Sequence, residues 1–366
     1  MKHVDEYRDP ERLQHQLKTL RASITRRWVI MDVCGGQTHA FLRYGIEAAL
    51  EDVIELVHGP GCPVCVTPAE TIARAIRLSQ QPNVILTTFG DMMRVPGTSG
   101  SLLQARSGGA DIRMVYSPVD AVTVARSNPD RKVVFFAVGF KTTAPATALA
   151  ILQARQLGLT NFSVLAHHVR VEPAMRTILS QPDCRVQGFL AAGHVCTVTG
   201  YAHYEDLVRA FQVPIVVTGF EPVDLLNSVA ECVRLLESQQ AELANPYARL
   251  ARPEGNRQAQ QLIDSVFQVG TIPWRGFGAI PDGGLTLRPE FKSFDASASF
   301  ELSHEETADD AECLSAAVMS GQIKPPQCPL FGVQCHPDRP RGAPMVSSEG
   351  ACAAYFRYVR PDGARR

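Results

Sequence analysis

The chain has 366 residues, two to three domain lengths, so more than one hydrophobic core is expected and a single small module is excluded. Apolar residues at 45% against 20% charged exclude global disorder. Lys plus Arg number 36 against 37 Asp plus Glu, and a net charge of -1 offers no basic field to a nucleic acid. Met1 to Leu20 is polar and lacks a signal-peptide core, and no apolar stretch reaches the roughly 18 residues of a membrane span. A cytoplasmic protein without membrane contact is expected.

From Trp28 to about Val217, short apolar runs alternate with amphipathic segments, the pattern of βα units around parallel sheets. The first strand is expected at 28–33. It runs into Cys34-Gly35-Gly36-Gln37-Thr38-His39 and a helix at 38–50, which puts Cys34 at the carboxyl end of a sheet, where open α/β folds bind ligands. The helix N–H groups are expected to lower the thiol pKa and make Cys34 a nucleophile or a soft metal ligand, against the plain alternative of a buried cysteine. His39 lies inside the helix.

A second strand at 53–58 leads into Gly59-Pro60-Gly61-Cys62-Pro63-Val64-Cys65, a C-x-x-C. Thr67-Pro68-Ala69-Glu70 then reads as a capping box for a helix at 68–79, so the thiols approach a helix N-terminus. Redox exchange suits this pair best, with half of a zinc site or a structural role as alternatives. Further strands are expected at 83–88, 112–116, 132–138, 163–166, 188–191 and 214–218. The remaining helices are expected at 118–127, 145–157, 173–179 and 222–239, and proline opens five of the six helices. The loops after these strands carry Asp91, Lys141 and the pair His194 and Cys196, which could face the same crevice. His167 and His168 read as structural, since adjacent side chains diverge.

Sliding the chain along itself by about 104 residues aligns Gly35 with Gly139, Thr38 with Thr142 and Pro118-Val119-Asp120 with Pro222-Val223-Asp224. The fold class expected is therefore α/β: two related parallel-sheet α/β domains, at 1–128 and 129–244, plus a loop-rich C-terminal iron-sulfur domain at 245–366. Strands are hard to find beyond Asn245. The tail holds Cys313, Cys328, Cys335 and Cys352, separated by 14, 6 and 16 residues and interleaved with prolines. These gaps are wider than the close pairs of most zinc sites and fit a 4Fe-4S cluster held by separate loops better, with zinc as the alternative.

The Cys34 to His39 and Gly59 to Cys65 motifs, the Gly139 to Ala148 loop, Gly219-Phe220-Glu221-Pro222 and Met345 to Cys352 resemble the HypD family of hydrogenase maturation factors from about Arg27 to Tyr358. The resemblance implies a scaffold and redox factor that assembles the iron, two-cyanide, one-carbonyl unit of nickel-iron hydrogenases. It implies a complex with a HypC-type chaperone, cyanide from a HypE-type donor, and a monomer when free. By the same resemblance Cys34 is the ligand of a transient iron carrying cyanide and carbonyl, and Cys62 and Cys65 are the redox pair. Cys313, Cys328, Cys335 and Cys352 hold the 4Fe-4S cluster, while His39 belongs to the first motif and His194 and Glu349 to the working cleft. Lys141 stands where the family commonly has Glu. Two readings of other classes remain: an iron-sulfur-dependent disulfide reductase acting on a thioredoxin-like client, and a zinc-stabilised interaction protein.

Overall fold

The computed structural model describes residues 5–300 and 309–359. Its strands are β1 Trp28–Asp32, β2 Ile54–His58, β3 Val84–Thr88, β4 Ile112–Met114, β5 Lys132–Phe140, β6 Phe162–Val169, β7 Gly188–Ala192, β8 Ile215–Thr218, β9 Leu243–Ala244, β10 Phe267–Trp274 and β11 Gly278–Leu287. They form two sheets. The first, in the order β2-β1-β7-β8-β9, is parallel throughout. The second runs β10-β11-β6-β5-β3-β4, parallel from β6 to β4, with the β10–β11 hairpin added antiparallel. Helices cover the sheets, so β3, β7 and β8 are buried at every position, as continuous apolar runs in parallel sheets require.

The 104-residue repeat is present in the topology, in an interleaved form. Shifted by that offset, β1 falls on β5, β3 on β7 and β4 on β8, and β2 ends where β6 begins. Replacing each strand by its repeat counterpart turns the order β2-β1-β7-β8 into β6-β5-β3-β4, which is the core of the second sheet. Each repeat therefore contributes two strands to each sheet. The chain leaves the first sheet after β2, builds β3 to β6, and returns for β7 and β8. The expected boundary at 128/129 thus cuts through both sheets, and the one at 244/245 separates the β10–β11 hairpin from the rest of the second: two related α/β units exist, but neither is contiguous. Pairing depends on which faces can be buried together, and an internal alignment carries no record of that.

Local departures have equally local causes. The helix expected at 38–50 breaks at Gly45, whose φ of 69° ends Gly35–Arg43 and caps Ile46–Leu50. The Thr67 capping box does not form, because the Thr67 hydroxyl donates to the Pro63 carbonyl at 2.9 Å and ties the C-x-x-C turn instead. His167 and His168 lie within β6 and are both buried. The β10–β11 hairpin was not expected. The C-terminal lobe is built of short helices and turns around a small core that includes Leu330, Phe331, Met345 and Tyr355, together with Leu42 of the first unit. Its last helix, Ala351–Tyr358, packs on Gly35–Arg43.

Candidate functional site

Cys34 caps the helix Gly35–Arg43, two residues after the end of β1, with extended backbone at φ -148°. Its thiol is only 3% exposed, packed among Ala192, Val195 and Phe220, with His194 Nδ1 3.8 Å from Sγ. The C-x-x-C loop lies directly against it. Gly35 N–H donates to Gly61 O at 3.0 Å, and a Cβ at Gly61 would lie 2.3 Å from Cys34 N. Cys62 and Cys65 form a disulfide with Cα atoms 5.2 Å apart, and Cys65 N–H donates to Cys62 Sγ at 3.2 Å.

The C-terminal lobe closes the third side. A Cβ at Gly35 would stand 1.9 Å from the Glu349 carbonyl oxygen, so that glycine is needed for close backbone approach. Burial raises the Glu349 carboxyl above its ordinary range, and the nearby Asp91 raises it further. Asp91 accepts from Ser347 Oγ at 3.4 Å and Ser348 Oγ at 3.5 Å, which ties the loop after β3 to the same turn. Cys34, the disulfide, His194, Phe220, Asp91 and Glu349 thus gather at one junction of both sheets and the lobe.

The expected depression of the Cys34 pKa is reversed. Burial pushes the thiol up, the N–H groups of Gln37 and Gly36 oppose this only in part, and the charges of Glu349 and Asp32 add to it. A metal bound by this thiol would have to displace a proton. His194, whose pKa burial lowers, is neutral at pH 7, and its Nδ1 is the ring nitrogen that faces the thiol. His39 does not join this group. It packs edge-on against Tyr358, with Nε2 3.2 Å from the phenol oxygen. Cys196 is also absent, since it is fully buried with its thiol pushed up to about 12 by desolvation. Lys141 lines a separate cavity with Arg170 and Tyr204, where burial and Arg170 lower its pKa.

Sequence reasoning missed a buried charge network under the junction. Asp32 accepts from Thr38 Oγ1 at 2.8 Å and Cys34 N–H at 3.4 Å, and also from His58 Nδ1. His58 Nε2 lies 3.1 Å from Glu47 and 3.2 Å from the Tyr355 oxygen, while Glu47 accepts from Lys324 Nζ at 2.6 Å and from Tyr355. Burial alone would lower the His58 pKa, but Asp32 and Glu47 outweigh it and lift it to about 9. Burial would raise Glu47, but His58 and Lys324 bring it down to about 2. The signal available in the sequence was an acid and a histidine closing two adjacent strands, Asp32 and His58.

Cys313, Cys328, Cys335 and Cys352 line one small apolar cavity with Leu330, Phe331 and Met345. Arg341 N–H donates to Cys335 Sγ at 3.4 Å, Gly342 N–H also faces that sulfur, and a Cβ at Gly342 would meet Cys313 Sγ. Among the described residues no three His, Cys, Asp or Glu side chains converge as tightly as one ion needs. Four thiols around an apolar cavity, with N–H donors aimed at a sulfur, are a donor set that fits a 4Fe-4S cluster or an all-cysteine zinc site.

No helix among the described residues is long and apolar enough to cross a membrane. Residues 10–359 match the family described as "HypD: Hydrogenase formation hypA family". Hydrogenase maturation factor HypD of Escherichia coli (strain K12) is 45% identical over 366 residues, covering 98% of each chain. The HypD proteins of Azotobacter vinelandii and Rhodobacter capsulatus are each 44% identical over 98% of this chain and 97% and 98% of their own. With the signature cysteines gathered as described, the chain belongs to the HypD family of hydrogenase maturation factors and has a role in hydrogenase maturation.

Proposed function

We propose that this protein is the scaffold on which the iron, two-cyanide, one-carbonyl unit of a nickel-iron hydrogenase is assembled, with Cys34 as a ligand of the iron. The observation that carries the reading is the junction itself, where one thiol, a neutral imidazole, a protonatable carboxyl and a disulfide come from four separate segments. Iron is the substrate here, and thiolate is the soft donor that suits a metal with strong-field diatomic ligands. As iron binds, the Cys34 proton passes to His194 Nδ1 and the thiolate takes the metal. Glu349, held above the usual carboxyl range, can donate a hydrogen bond to a nitrogen or oxygen on the iron.

The Cys62–Cys65 disulfide accepts two electrons and two protons to become a dithiol and, lying against Cys34, adjusts the redox environment of the iron. The four lobe cysteines would hold a 4Fe-4S cluster, which supplies one-electron transfer when bound. A HypC-type chaperone would share the iron, and a HypE-type donor would bring the cyanide. A disulfide reductase with a protein client is less well supported, because Cys62 and Cys65 are each 3% exposed and a client sulfur must reach them.

The test is infrared spectroscopy of the protein purified with its chaperone. The wild type is expected to show cyanide and carbonyl bands. Cys34→Ala is expected to remove them while leaving the visible absorbance of the iron-sulfur cluster unchanged, and bands that persist in the variant would show that Cys34 is not the ligand.

A further inference from the structure

The tip of the β10–β11 hairpin, Arg275-Gly276-Phe277, is wedged between the disulfide loop and the C-terminal lobe. Arg275 is 5% exposed. Its backbone N–H donates to Val66 O at 2.7 Å, Nε to Thr67 O at 2.8 Å and an Nη to Pro96 O at 3.4 Å. Gly276, at φ 79°, lies so close to the lobe that a Cβ there would stand 2.7 Å from the Ala316 methyl, on the helix that begins two residues after Cys313. The Asp309 carboxylate of the same lobe sits 3.4 Å from Nε and is partly exposed.

The turn that Arg275 grips is the one that closes the disulfide. Thr67 N–H donates to Val64 O at 3.3 Å and its hydroxyl to Pro63 O, inside the Cys62–Cys65 loop. Holding this turn would need only a neutral donor. A full charge taken out of water is costly, yet acts over a longer range than a hydrogen bond in a medium of low dielectric constant. The charge therefore demands its own account.

We propose that Arg275 is a positioning residue that also tunes the redox pair: its buried charge, partly offset by Asp309, stabilises the reduced form of Cys62 and Cys65 and so sets their potential. The inference rests on the reading of that pair as redox-active. The couple is the disulfide plus two electrons and two protons in equilibrium with the dithiol, which by losing one proton gives a thiol–thiolate pair. A nearby cation favours the negative charge of that pair, on which Cys65 N–H already bears through Cys62 Sγ, whereas the disulfide is neutral.

The experiment equilibrates the full-length protein in dithiothreitol buffers of graded ratio, then counts labelled Cys62 and Cys65 by peptide mass. Arg275→Met is expected to lower the equilibrium constant for reduction about tenfold, roughly a 30 mV fall in potential. Arg275→Lys keeps the charge and is expected to titrate close to wild type. Asp309→Asn removes the offsetting charge from a partly exposed position that tolerates change, and is expected to shift the potential the opposite way, which keeps the test decisive if Arg275→Met does not fold. A pair that titrates identically in wild type, Arg275→Met and Asp309→Asn overturns this inference alone, as does Arg275→Lys moving as far as Arg275→Met. A wild-type pair that never titrates overturns the redox reading together with it.

Discussion

Replacing His58 by leucine is expected to destabilise the protein by about 3–5 kcal/mol in urea unfolding, because it leaves Asp32 as an uncompensated carboxylate in the interior and Glu47 with Lys324 as its remaining cationic partner. The sign of the pH dependence follows from the same contacts. His58 has a folded pKa of about 9 against 6.5 unfolded, so its contribution of about 3 kcal/mol is complete below pH 6.5 and disappears as pH rises through 9. Glu47, at about 2 against 4.5, contributes fully above pH 4.5 and loses that contribution as pH falls through 2. The network therefore contributes most between about pH 4.5 and 6.5. His58→Leu is expected to flatten the alkaline side of the wild-type stability profile. A variant that costs less than about 1 kcal/mol, or that keeps the alkaline slope, would mean that His58 is neutral in the fold. The consequence reaches function, since Asp32 also accepts from Cys34 N–H and Thr38 Oγ1, and a displaced Asp32 frees the turn that aims the thiol.

The cysteine-bearing turns were legible because each follows an apolar run and is bracketed by glycine or proline, signals that are local in the chain. The pairing of those runs was not. β1 takes β7, some 160 residues on, rather than β3, and nothing within β1 distinguishes the two as partners. The hairpin that carries Arg275 escaped notice because Gly270, Gly276, Gly278, Gly283 and Gly284 break its alternation and mimic a loop. The Cys34 pKa was misjudged for a related reason: the helix N–H groups that favour a thiolate are in the sequence pattern, while Phe220, Val195 and Glu349, which surround it, arrive from 160 to 315 residues away. His39 lies five residues from Cys34, and helical geometry turns it toward Tyr358. His58, 24 residues from Cys34, reaches the turn through Asp32.

Gly35→Ala and Gly36→Ala are adjacent changes with unequal expected effects. At Gly35 the new methyl would fall 1.9 Å from the Glu349 carbonyl oxygen and 2.7 Å from its carbonyl carbon, both backbone atoms. One of the two segments must then move as a unit. At Gly36 the first contact is 2.8 Å from an edge atom of the Phe220 ring, which can swing aside. Overpacking of the first kind costs about 1–3 kcal/mol, within what a protein of this size survives, so Gly35→Ala should fold. Its larger effect is on the geometry of the junction. A shift of about 1 Å between reacting groups can cost roughly 100-fold in rate, and here it would separate Glu349 from Cys34 while pulling on Cys352, three residues further along the same lobe. Maturation of hydrogenase in cells carrying Gly35→Ala is expected to fall about 100-fold, with Gly36→Ala well above it. Glu349→Gln separates the two ways this could arise. It keeps the backbone wall and removes the acid, so a variant as inactive as Gly35→Ala assigns the loss to the carboxyl, and an active one assigns it to the wall that presses the lobe against the thiol.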